Sequence, residues 1–204
     1  MRNEMFIALR VTLVTLLGTG LVYPLATTGA AQLLLPTEAN GSLVTGVKGE
    51  RVGSALIAQR FSRPDYFQSR PSAAGEGGWD GSASSGSNLS TTSAKLRDRA
   101  RAEAGRLARD NPGAGPVPEE LITTSASGLD PHVSPEAARW QIARVARARE
   151  LGPERVAPVV EGFVEGRDFG LLGEPRVNVL LLNLEMDRRF GAPSPSPRSA
   201  PARP

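Results

Sequence analysis

From Val11 to Leu35 the chain carries no charged side chain for 25 residues, and that stretch decides which solvent the rest must fold in. As a helix rising about 1.5 Å per residue it covers about 37 Å, more than the ~30 Å hydrocarbon core of a bilayer. Arg2, Arg10 and the α-amino group precede it, and the first charge after it is Glu38. This asymmetry predicts residues 1–10 in the cytoplasm, a transmembrane helix over 11–35 and an extracytoplasmic chain from Pro36 onward. A cleaved signal peptide is the competing reading, because Gly29-Ala30-Ala31 offers small residues to a peptidase. Leu33, Leu34 and Leu35 carry the apolar run past that point, and the whole stretch exceeds the roughly 7–15 residues of a signal-peptide core, which favours a retained anchor.

About 170 residues follow the anchor, enough for one domain with a core of its own. The chain has no cysteine, which excludes thiolate nucleophiles, disulfides and zinc–thiolate sites. Its net charge of +3 suggests nucleic acid only until the basic residues are separated, since all but Lys48 and Lys95 are arginines interleaved with acids or spread along helix faces. A solvated surface is the better reading, and no nucleic-acid partner is expected.

Ser42–Val47 and Val52–Phe61 read as β-prone runs around the turn Lys48-Gly49-Glu50-Arg51, a candidate hairpin. Residues 62–92 are crowded with Gly, Ser and Pro and are too long for a plain connector, so they form either a docked functional loop or a mobile one. Ser93 fits an N-cap before a helix carrying Leu96, Ala100, Ala104 and Leu107, which Asn111-Pro112 stops. Leu121–Thr124 is a candidate short strand. Ser134 and Pro135 open a second helix with Ala138, Ile142 and Val145 on one face, ending near Gly152. A third helix from Pro153 buries Val156, Val159, Val160, Phe163 and Val164, with Gly166 closing it. Val177–Leu184 reads as a buried strand, with a helix still possible, and the Pro-rich tail over 191–204 is expected to be disordered.

Little in the chain promises chemistry of its own. His132 is the only histidine and sits in the helix-entry loop Asp130-Pro131-His132-Val133-Ser134-Pro135, where a structural hydrogen bond is the expected role. With one histidine there is no triad to spare and no histidine-cluster metal site, so the metal expectation is none. No glycine-rich loop ends in Gly-Lys-Ser or Gly-Lys-Thr. Glu119, Glu120, Glu136 and Glu174 stand at turns or helix starts, where acids are ordinary. The loop Ser84-Ser85-Gly86-Ser87-Asn88 could present backbone N–H groups to an anion or face solvent, and Ser85, Gly86, Ser87 and Asn88 are the candidate partner or nucleotide contacts.

Four segments together carry a family resemblance: Gly53–Phe61 running on through Pro64, Tyr66-Phe67 and Arg70-Pro71-Ser72-Ala73; Ser85–Leu89; Ser125–Ala138 with its SGLDPHVSP core; and Leu172–Val179, reading LGEPRVNV. In order and spacing the chain resembles the C subunits of bacterial Kdp potassium-transporting P-type ATPases, from the anchor to about Asp187. The resemblance implies an α+β protein: a single N-terminal transmembrane helix, then one mixed α/β extracytoplasmic domain over 36–190, in the bacterial inner membrane. It implies an accessory subunit of a high-affinity potassium-uptake complex, beside a potassium-channel-like subunit, a P-type pump subunit and a small membrane peptide.

The roles that the resemblance carries are assembly of the complex and that of a catalytic chaperone raising the pump subunit's ATP affinity, with no catalytic residue in this chain. No cofactor is expected to bind directly, ATP being reached through the pump subunit. The nucleotide-binding role is tied in the family to a serine-glycine-glycine segment, which here has Ser85 at the first glycine; Trp79, Asp80 and Ala58 also depart from the family pattern. An extracytoplasmic domain does not meet cytoplasmic ATP, so any effect on ATP affinity would be transmitted through subunit contacts. An independent membrane-anchored binding module is the alternative.

Overall fold

The N-terminal run folds as one long helical segment, and its only irregularity has a covalent cause. The computed structural model describes residues 2–193, in which α1 (Arg2–Leu17) passes through a π-turn (Gly18–Val22) into α2 (Tyr23–Leu34). Pro24 lacks an N–H and cannot continue the α ladder, and the preceding Tyr23 N–H reaches back to Gly18 O, five residues away. Thr19 and Thr27 return their hydroxyls to carbonyls one turn earlier, at 2.7 and 2.9 Å, so these two hydroxyls are satisfied within the helix. The helix is apolar and long enough to span a membrane, and its side chains are exposed. A short α3 (Pro36–Ala39) follows. The chain divides into two compact units at Val44–Thr45, inside β1 (Leu43–Thr45).

The expected hairpin is present but shorter on its second arm. β2 is only Arg51–Ser54, because the Ser54 hydroxyl and carbonyl accept from Leu56 N–H and Ile57 N–H at 3.1 and 3.2 Å and turn the chain. The turn closes with Gly46 N–H to Glu50 O at 2.8 Å.

In the second unit the helices follow their caps. Ser93 precedes α4 (Ala94–Asp110), and Asn111 ends it by returning both its backbone and side-chain N–H groups to Leu107 O. Ser134 Oγ accepts from Ala137 N–H at 3.1 Å at the start of α5 (Pro135–Ala148). α6 (Pro153–Gly162) buries Val156, Val159 and Val160 but stops four residues before Gly166, and Val164–Glu165 leave it as strand β4. Leu121–Thr124 is not a strand: Pro118 O and Glu119 O accept the next N–H groups and wind Glu119–Leu121 into a 3-10 turn.

The largest departure is at Val177–Leu184. Only β5 (Arg176–Asn178) is extended, and α7 (Val179–Phe190) begins directly after it because the Asn178 side chain accepts from Leu181 N–H at 3.1 Å. Val179, Leu182, Asn183 and Met186 then fall on one buried face at helical spacing. β5 is the centre of a small antiparallel sheet in the order β3 (His132–Val133), β5, β4, with Val177 opposite both Val133 and Val164. α5 packs along α6, α6 against α7, and the core gathers Leu107, Val133, Val145, Val160, Val177 and Leu182.

Residues 62–92 are the docked form of the two expected alternatives. Having neither helix nor strand, they satisfy the backbone of residues 64–68 with side chains from the helices behind them, while Ser72, Ala74 and Asp80 close residues 74–83 locally. Asn183 accepts from Phe67 N–H at 2.8 Å and donates to Phe67 O at 2.9 Å, and Gln141 treats Gln68 in the same way at 2.8 and 3.1 Å. Arg144 donates to Pro64 O and Tyr66 O, and Arg149 to Asp65 O. This places Phe67 in the core. The disorder expected over 191–204 falls, from residue 194, outside the described residues.

Candidate functional site

The Gly/Ser loop is held by a second close backbone approach, and Gly128 is where it happens. Gly128 has φ +70°, and a Cβ there would lie 2.4 Å from Ser85 O and 2.9 Å from Ala74 N, both backbone atoms. Ser85 N–H donates to Ser127 O at 2.9 Å, and Ser84 Oγ donates to the same carbonyl at 3.0 Å. Gly86 closes on Ala126 O, where a Cβ would stand at 2.8 Å. Two of the four segments on which the family resemblance rests, around Ser85 and around Gly128, therefore lie backbone to backbone. Of the candidate contacts, Ser85, Gly86 and Ser87 are half-buried, while Asn88 is exposed with φ +49°.

A cavity of about 390 Å³ opens elsewhere in the same unit, and none of those four residues lines it. Its walls include Arg60, Trp79, Arg99, Glu103 and Arg106. Glu103 is engaged by Arg106, which also reaches Asp110 at 2.9 Å. Arg60 lies over the Trp79 ring at 5.6 Å, and Arg99 Nε and Nη2 and Trp79 Nε1 are buried without a hydrogen-bond partner among the described residues. Two guanidiniums beyond the Glu103–Arg106 pair suit this cavity to an anionic group rather than a cation. Sequence reasoning did not single out this cluster; its signal is the spacing of Arg99, Glu103 and Arg106 at i, i+4 and i+7, one face of α4.

His132 lies in a local contact. Asp130 accepts from His132 N–H at 3.0 Å, the imidazole Nδ1 is 3.4 Å from the same carboxylate oxygen, and Arg70 is 3.7 Å from the other. Burial alone would raise the Asp130 carboxyl, but the hydrogen bonds and charge of His132, with Arg70, leave it below its usual value. Glu120 accepts from Ser134 N–H at 3.0 Å and from its hydroxyl, bracing the N-cap of α5, and Glu174 pairs with Arg167 at 2.7 Å. Among the described residues no three His, Cys, Asp or Glu side chains converge to hold a metal ion.

Tyr66 marks where the docked loop meets the end of α7. Its hydroxyl donates to Asp187 Oδ2 at 2.8 Å, and Arg149 bridges Asp187 Oδ1 at 2.7 Å while lying 5.1 Å over the Tyr66 ring. Burial, then the hydrogen bond to Asp187, pushes the phenol up to about 12. A raised acid is stabilised in its neutral form, so this contribution is complete below pH 10 and is lost as pH rises through about 12. Tyr66→Phe is expected to cost about 1–2 kcal/mol at pH 7 and to flatten the alkaline fall in stability. Denaturant melts of both forms at pH 7 and pH 11 check this, and equal alkaline losses would refute it.

The family described as "KdpC: K+-transporting ATPase, c chain" matches residues 5–188. The chain is similar to the potassium-transporting ATPase KdpC subunit of Myxococcus xanthus, 67% identical over 195 residues, which are 95% of this chain and 90% of the relative. It is 55% identical over 170 residues to the subunit of that name from Nitratidesulfovibrio vulgaris, covering 83% of this chain and 86% of the relative. The corresponding subunit of Koribacter versatilis is 46% identical over 198 residues, 97% of this chain and all of the relative.

Proposed function

The chain belongs to the KdpC family, the c chain of a K+-transporting ATPase, and from that premise we propose that it is an accessory subunit of a high-affinity, ATP-driven potassium-uptake complex. The observation that carries this reading is the extent of the match, which begins inside the apolar helix and ends in α7, so that anchor and domain are matched together. In this reading the helix over 11–35 crosses the bacterial cell membrane once, the N-terminus is cytoplasmic and the domain over 36–190 is extracytoplasmic. Support comes from Arg2 and Arg10 before the helix and Glu38 after it. Its partners are a potassium-channel-like subunit, a P-type pump subunit and a small membrane peptide.

The proposed role is to assemble and stabilise the complex and, as a catalytic chaperone, to raise the pump subunit's affinity for ATP. The effect passes through subunit contacts, with a coupling of about 1–3 kcal/mol, or about 5–150-fold in affinity. Ser85, Gly86, Ser87 and Asn88 then serve as a partner contact. Against a nucleotide cradle stands the engagement of Ser85 N–H by Ser127 O, since an anion nest needs successive free N–H groups.

Two measurements test the proposal. A reporter fused after Asp187 should be active only outside the cytoplasm, and cytoplasmic activity would overturn the orientation. Reconstituted ATPase lacking this chain should show an apparent KM for ATP raised within that 5–150-fold range, while calorimetric titration of the full chain alone with ATP gives no binding heat. Tight binding by the chain alone would assign Ser85–Asn88 to nucleotide instead.

A further inference from the structure

The LGEPRVNV segment, one of the most specific parts of the family resemblance, is divided by the fold. Arg176–Val179 enter the sheet and core, whereas Leu172–Pro175 are exposed. They belong to a hairpin between β4 and β5 whose apolar tip is left uncovered by the described residues: Phe169 is 94% exposed, Leu171 81% and Leu172 63%. Single exposed apolar residues are ordinary, but three within four positions form a patch.

The tip is also held firmly. Asp168 and Leu172 exchange both backbone hydrogen bonds at 2.9 Å, and Leu171 N–H closes the turn on Asp168 O at 3.2 Å. Along the arms Arg167 pairs with Glu174, and Arg176 with both Glu165 and Asp168. Both central residues of the turn have positive φ, Phe169 at +54° and Gly170 at +74°. That suits glycine and is costly for a phenylalanine, whose ring recovers nothing by burial within the domain.

We propose that this hairpin is a docking knob, with Phe169, Leu171 and Leu172 inserting into an apolar socket on another subunit of the ATPase. The inference rests on the subunit reading above. A protein socket is favoured over a lipid surface by charge: the arms carry Glu165, Asp168 and Glu174 against Arg167 and Arg176, an acidic excess that an anionic membrane would repel and a neutral or basic rim would accept.

The test uses the full chain, tagged and co-expressed with the other subunits. In Phe169→Asn/Leu171→Ser, asparagine tolerates the positive φ, so the melting temperature of the detergent-solubilised chain should hold. Recovery of the other subunits with it should fall about tenfold or more, as loss of a central apolar anchor does. A photo-crosslinking phenylalanine analogue at position 169 should form an adduct with a subunit polypeptide. Unchanged recovery, or an adduct with phospholipid alone, would overturn the knob while leaving the subunit reading intact. If the unaltered chain recovers no other subunit, that reading falls and this one with it.

Discussion

Arg144→Met is expected to destabilise the domain by about 3–5 kcal/mol, because the buried guanidinium closes a hydrogen-bond network that a thioether cannot close. Arg144 is 2% exposed. It donates to Asn111 Oδ1 at 3.1 Å, Pro64 O at 2.5 Å, Tyr66 O at 3.0 Å and Gln141 Oε1 at 2.6 Å, tying the end of α4, the docked loop and α5 to one side chain. No carboxylate is among these acceptors. Burial accordingly pushes its pKa down to about 10, below the usual arginine value, with nearby charges as smaller influences. The group is still charged at pH 7 in both folded and unfolded chains. The sign of the linkage is that stability rises from this group only above about pH 10, where the folded state releases its proton first. Methionine fills the stem's volume but strands Asn111 Oδ1, Pro64 O and Tyr66 O, Gln141 Oε1 keeping the Gln68 N–H, and Arg144→Lys should recover little, since one ammonium cannot reproduce the guanidinium's planar fork. Denaturant melts followed by the fluorescence of Trp140, on the same helix, measure the loss. A cost below about 1 kcal/mol would show that water replaces the guanidinium and that the loop docks without it.

This network also explains which parts of the architecture could be read from residue order. α5 was legible because Ser134, Pro135 and the Ala138–Ile142–Val145 spacing are local signals, all within one helix. α7 was not, because Val177–Leu184 is apolar on nearly every residue, and such a run does not distinguish period 2 from period 3.6. Asn178 and Asn183 were the informative residues within it. The first is an N-cap whose other amide atom donates to Ala55 O at 2.8 Å, and the second binds a backbone 116 residues away. Nothing local in residues 64–68 could reveal their docking, since the groups that satisfy them come from Gln141, Arg144, Arg149 and Asn183. The candidate loop Ser85–Asn88 is legible from its composition and from the family resemblance, neither of which places it in the fold. Its neighbour Gly128, some forty residues on in the chain, is brought to it only by the tertiary fold.

Gly128→Ala is expected to lower stability by about 3–5 kcal/mol and to release the candidate loop, from two contributions that a control can separate. The φ of +70° costs an L-residue about 1–2 kcal/mol. The new methyl would also stand 2.4 Å from Ser85 O and 2.9 Å from Ala74 N, and since both are backbone atoms the loop itself must move, which adds about 1–3 kcal/mol. Gly113 supplies the control: its φ is +80°, but a Cβ there meets nothing within 4 Å, so Gly113→Ala should show the φ cost alone. Hydrogen exchange gives the local readout, because Ser85 N–H depends on Ser127 O, the residue before Gly128. Protection at Ser85 should be lost in Gly128→Ala and kept in Gly113→Ala. Equal melts and equal protection in the two variants would mean that the loop accommodates the methyl, and the close approach would not be what fixes Ser85–Asn88. If protection is lost and recovery of the other subunits falls with it, the position of this loop matters to assembly, as the partner-contact reading requires. If protection is lost while recovery is unchanged, the loop is structural and the contact must lie elsewhere on the domain.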